Sequence, residues 1–68
     1  MRELLLNAFK DYAEGNIQKH RANVEVYLAN PVGIGEHSDI MEAIESEVKH
    51  IAEFDDMLEV LDKYFDTK

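Results

Sequence analysis

Glu47-Val48-Lys49-His50 places a carboxylate and an imidazole three residues apart. On a helix that spacing turns both groups toward one side, and it is the Glu-x-x-His arrangement used by di-iron carboxylate bundles. Such a site also needs an acid from a facing helix. The upstream acids Glu14 and Glu25 sit two to three residues off the required level, and His20 and Arg21 occupy it instead. His20, Glu47 and His50 are thus the candidate ligands if this chain builds a metal-binding helical bundle. The same residues also read as a polar layer between two helices. A carboxylate within an apolar stripe is costly unless paired, and His20 and Arg21 are the nearest donors for Glu47. Buried polar groups of this kind can fix register and pairing. The Glu-x-x-His tetrapeptide arises by chance in any charged helix, so the polar layer is the reading carried forward, and no cofactor is expected.

Other chemistry finds less support. Asp55, followed by Asp56, Glu59 and Asp62, takes a position where an apolar residue is expected. The cluster lacks the dense oxygen spacing of a calcium loop. The simpler expectation is that Phe54 turns inward while Asp55 reaches solvent or Lys10. Gly33-Ile34-Gly35 resembles part of a phosphate-cradling loop, but no strand precedes it and neither full spacing is present. His37, with Glu36 and Asp39, reads as a solvated turn. There is no cysteine, and Ser38 and Ser46, the only serines, lie in no nucleophile motif. No enzyme activity is expected.

Two long segments must position these groups. In the first, Leu5 or Leu6, Phe9, Tyr12 or Ala13, Ile17, Val24, and Tyr27 or Leu28 recur at spacings of three and four, which marks one face of a helix. Gly15-Asn16 interrupts it, and an interior glycine costs about 1 kcal/mol relative to alanine. A break there would give two short helices. The stripe Phe9, Ala13, Ile17, His20, Val24 keeps its phase across the glycine, which favours one helix over about 2–29. In the second segment Ile40, Ile44, Val48, Ile51, Leu58, Leu61 and Phe65 follow a coiled-coil-like spacing, with Met41, Ala43, Ala52 and Phe54 widening the stripe. That predicts a helix over about 39–65. Glu45–Lys49 and Glu59–Lys63 add helix-stabilising pairs in the favourable order.

Between them lies 30–38, with the only proline and two of the three glycines. Asn30-Pro31 ends the first helix, because the residue before proline avoids helical angles. Gly33 and Gly35 permit a tight reversal, and Val32 and Ile34 can close the end of the hairpin. Asp39 with Glu42 has capping-box spacing, and Ser38 is an equal candidate for the N-cap. A reversal of this length makes the helices antiparallel. A register centred on residue 34 sets Leu28 against Ile40, Val24 against Ile44, His20 against Val48, Ile17 against Ile51, Ala13 against Phe54 or Asp55, and Phe9 against Leu58.

The run Val26-Tyr27-Leu28-Ala29-Asn30-Pro31-Val32-Gly33-Ile34-Gly35-Glu36-His37-Ser38-Asp39 resembles the central segment of small uncharacterised helical-hairpin proteins of tailed phages of marine bacteria. The likeness extends into the following Ile/Glu-rich helix and touches about half the chain. It implies a phage accessory or structural protein and carries over no site residue.

Charge and size bound the rest. The chain has 68 residues and a net charge of −8. Residues 1–29 balance four acids with four bases, whereas 36–68 hold eleven acids against three lysines. Such a surface repels phosphate backbones and anionic membranes. No apolar run approaches the length that spans a bilayer. A soluble, cytoplasmic protein is expected, in the host cytoplasm if phage-encoded. The expected fold is all-α: one domain over 1–68, an antiparallel two-helix hairpin. Each stripe is wider than one neighbouring helix can cover, so two hairpins should pair as a homodimeric four-helix bundle. The expected function is non-enzymatic and acts through protein–protein contacts. The alternatives are the metal-binding bundle on Glu47, His50 and His20, and an acidic decoy that occupies a basic surface of a host protein.

Overall fold

The computed structural model describes residues 1–29 and 37–65, the side chains of 37–39 excepted. Two helices account for nearly all of these residues: α1 over Arg2–Ala29 and α2 over His37–Tyr64, with no strand among the described residues. Each has 28 residues, hence a length of about 42 Å at 1.5 Å per residue. They pack side by side. The pairs that touch across them, Arg2 with Phe65, Tyr12 with Phe54 and His20 with Glu47, run in opposite chain directions, so the hairpin is antiparallel.

α1 passes through Gly15-Asn16 without a break. Asn16 donates its side-chain amide to the Tyr12 carbonyl one turn back, at 2.9 Å. That bond lends the turn beside the glycine a second tie. Where the sequence leaves the inward residue of a pair open, the structure chooses: Leu6, Ala13 and Tyr27 face α2 at least in part, while Leu5, Tyr12 and Leu28 stay exposed. Ala13 is the one fully buried apolar residue among those described, at 0% exposure.

On α2 the inward line is Ile40, Ala43, Ile44, Glu47, Ile51, Phe54, Leu58 and Leu61, all half-buried. This corrects the expected stripe. Val48 and Phe65 are about half exposed, and Met41 and Ala52 point outward. The cause is the helical period: a strict alternation of three and four drifts around a straight helix, so one turn of the stripe must pass to the neighbouring position. At that turn Glu47 takes the inward place expected of Val48. Phe54 takes the inward place and Asp55 is exposed, as the sequence indicates.

α2 begins at His37, two residues ahead of the expected start, so Ser38 and Asp39 lie within its first turn instead of before it. The reversal drawn for Val32, Gly33, Ile34 and Gly35 lies outside the described residues, as does the turn expected around Glu36. At the opposite end of the hairpin Arg2 donates from its guanidinium to the Phe65 carbonyl at 2.7 Å. A cation beside carbonyls at the C-terminal end of a helix is favourably placed against the helix dipole.

The hairpin is thin, at 49 × 16 × 13 Å. Its radius of gyration is 15.5 Å, against about 11 Å for a compact chain of this length. Ala13 is fully buried between the helices, so a larger side chain there must displace its neighbours. Ala13→Leu should therefore destabilise the fold by about 1–3 kcal/mol. Arg2→Ala, which removes one exposed bond, should cost about 1 kcal/mol or less. Denaturant midpoints of both variants at matched protein concentration check the order.

Candidate functional site

The polar residues that converge do so at the middle of the hairpin. His20 lies on the inward line of α1 and is buried, with its side chain 9% exposed. Glu47 lies on the inward line of α2, with its side chain 16% exposed. The His20 ring donates from Nδ1 to Glu47 Oε1 at 2.6 Å, because an ionised carboxylate can only accept. Asn23 donates its side-chain amide to the same oxygen at 3.1 Å. Asn23 follows His20 by one helical turn and so shares its face, which is why both donors reach one acceptor. No buried side-chain polar atom among the described residues lacks a partner.

His50 completes the layer from the edge. It is exposed, and its ring centroid lies 4.5 Å from that of His20 at an interplanar angle of 34°. Its Nδ1 bonds the Ser46 carbonyl at 2.8 Å, one turn back on α2. Phe54 closes the other side, its ring 6.4 Å from His20 and nearly parallel to it. The layer is thus two helices' worth of short bonds between apolar levels.

The structure brings together two of the three candidate ligands as partners of each other. The His20 nitrogen and the Glu47 oxygen that would turn toward a common ion are bonded to one another, and His50 directs Nδ1 to its own helix. Among the described residues no three imidazole or carboxylate groups converge on a point that could hold a metal. Arg21, the other donor considered for Glu47, instead reaches Gln18 on its own helix at 3.4 Å. Asn23 had no part in the reading of the sequence. Its position one turn beyond His20, on the same face, was the available signal.

No family model matches this chain, and no curated protein or solved structure matches it either. The Glu47 carboxyl is held below the ordinary glutamate range. The His20 hydrogen bond is the main cause and the Asn23 bond the next; loss of solvent works the other way, and the charges of the nearby His20 and His50 imidazoles add smaller lowering contributions. A group of this chemistry locks register. If α2 slid by one turn, Glu47 could keep at most one of its two donors, Asn23 in one direction or His20 in the other.

The sign of the pH effect follows. A carboxyl whose folded value is depressed releases its proton more easily in the folded chain than in the unfolded one. Its stabilisation is complete above the ordinary glutamate value, about 4.3, and is lost as pH falls through the lower folded value. Glu47→Gln keeps an acceptor for His20 but removes the charge. The stability gap between wild type and Glu47→Gln should be widest near neutrality and should close on acidification below about pH 4. Thermal melts of both proteins across that range check it; a gap constant with pH contradicts the role given to the charge.

Proposed function

We propose that this chain is a small non-enzymatic protein that self-associates and works through protein–protein contacts, with a homodimeric four-helix bundle as its unit. The observation that carries the reading is how little the hairpin covers. Ala13 alone among the described apolar residues is fully buried, and no large side chain is. Leu5, Tyr12, Val26, Met57 and Tyr64 all stand exposed on helices whose inward lines are already occupied. The accessible surface is 5308 Å², about 900 Å² more than a compact monomer of this mass is expected to show. That excess is close to the roughly 800 Å² that one partner contributes to a standard interface.

The non-enzymatic part of the proposal rests on the layer itself. His20 and Asn23 both bond Glu47, and depressions on the described surface, such as that between Glu42 and Glu53, are open and lie along single helices. A phage accessory or structural role follows from the likeness of the central segment 26–39. It would suit a chain whose business is assembly.

Self-association makes stability depend on concentration, because a partner that binds only the folded chain stabilises it by mass action. Light scattering after size exclusion should give about twice the mass of one 7.9 kDa chain at tens of micromolar, and the melting temperature should rise with each tenfold increase in concentration. A monomer at every concentration, with a constant melting temperature, overturns the proposal.

A further inference from the structure

The two long sides of the hairpin are chemically different, and the difference decides how a second copy sits. The inward lines leave a flank of each helix on either side. On one side α1 presents Leu5, Ala8, Tyr12, Lys19 and Val26, and α2 presents His50, Glu53, Met57 and Tyr64, by helical phase. Ring contacts confirm that these flanks adjoin. Tyr12 meets Phe54 edge-on at 5.9 Å and Phe9 at 5.8 Å, and His50 lies against His20. On the other side α1 presents Glu14, Arg21 and Glu25, and α2 presents Asp55, Glu59 and Asp62, all exposed.

We infer that the Tyr12–Met57 side is the self-association surface and that its occupant is a second copy of this chain, an inference that rests on the dimer proposed above. Charge selects the side. Two chains of −8 each repel, so they join at least cost where charge is sparse. Among the flank residues of the Tyr12 side Lys19 and Glu53 carry formal charge, one of each sign, whereas the other side would oppose three α2 acids with three more.

The strip also complements itself under a two-fold rotation, as a symmetric dimer requires. With the axis between Gly15 and Asn16, Leu5 of one copy stands level with Val26 of the other, and Ala8 with Asn23. Tyr12 then stands beside Lys19, whose ammonium can lie over the phenol ring. A Cβ built on Gly15 meets no atom within 4 Å, so the hairpin leaves room for a helix there. The arrangement seats the second copy over the open flank of the His20–Glu47–Asn23 layer. The polar layer of one hairpin is thereby shielded by the other.

The test uses residues matched in exposure within the hairpin. Tyr12 (59%) and Met57 (40%) lie on the inferred surface; Leu28 (59%) and Val48 (49%) lie on the opposite side. Full-length Tyr12→Glu, Met57→Glu, Leu28→Glu and Val48→Glu are compared with wild type by light scattering, with circular dichroism reporting helix content. The expected result is a dimeric wild type, dimeric Leu28→Glu and Val48→Glu, and a tenfold or greater rise in the dissociation constant for Tyr12→Glu and Met57→Glu. Should Tyr12→Glu lose its helix, Leu5→Glu, exposed at 61% near a helix end, replaces it. A dimeric wild type that resists Tyr12→Glu and Met57→Glu, or that Leu28→Glu and Val48→Glu dissociate equally well, overturns the assignment of the surface and leaves self-association standing. A monomeric wild type overturns self-association itself.

Discussion

Two helices can meet only along a line, and that geometry governs everything else in this molecule. Each helix offers the other one narrow face, so a 28-residue helix hides a single row of side chains. The rows here hold mostly half-buried residues, with Ala13 at the one point of full contact. Burial of apolar surface stabilises by roughly 25 cal/mol per Å², so a contact that removes so little surface leaves a hairpin of this length marginal. The order of the fold cannot come from a packed interior, because there is none of any depth. It must come from register devices along the line and from whatever covers the flanks.

The register devices are visible. Apolar residues alone hold two helices together in many nearly equivalent registers, since one leucine opposes another about as well one turn along. Glu47 removes that degeneracy. It sits between two donors one turn apart, His20 and Asn23, and a shift of α2 in either direction loses one of them. The Arg2 bond to the Phe65 carbonyl acts in the same sense at the far end. A polar pair of this kind adds little to stability over a well-packed apolar pair; its effect is to make every other arrangement worse.

How much of this was legible in the residues depends on the signal. Long proline-free runs with helical spacing, divided by Asn30-Pro31, carry the two helices plainly, and the level of His20 against Glu47 follows from the length of the reversal. The choice between neighbours does not. Leu5 against Leu6, Tyr12 against Ala13, and Glu47 against Val48 differ by one position, which is a 100° turn of the helix, and hydrophobicity favours the wrong member in the last case. Val48 is the more apolar residue, yet it is half exposed because Ile44 and Ile51 set the phase of the inward line and Glu47 shares it. Asn23 escaped notice for a related reason. A polar residue on an inward face signals a site only when its acceptor is known, and that acceptor lies 24 residues away.

The asymmetry of charge has a bearing on this that composition alone conceals. A count of eleven acids against three bases in the second half suggests a uniformly repellent helix. Position changes that picture. Most acids of α2 occupy its outer face and the flank beside Val48, while the flank of His50, Met57 and Tyr64 holds only Glu53. A helix that needed only solubility would gain by spreading charge over all of its exposed surface. Keeping one flank nearly neutral while crowding the others with carboxylates both offers a surface for association and penalises association anywhere else. In the proposed dimer the surplus of negative charge is thus part of the specificity: the acids direct a second copy to the one side of the hairpin where the polar layer stands open.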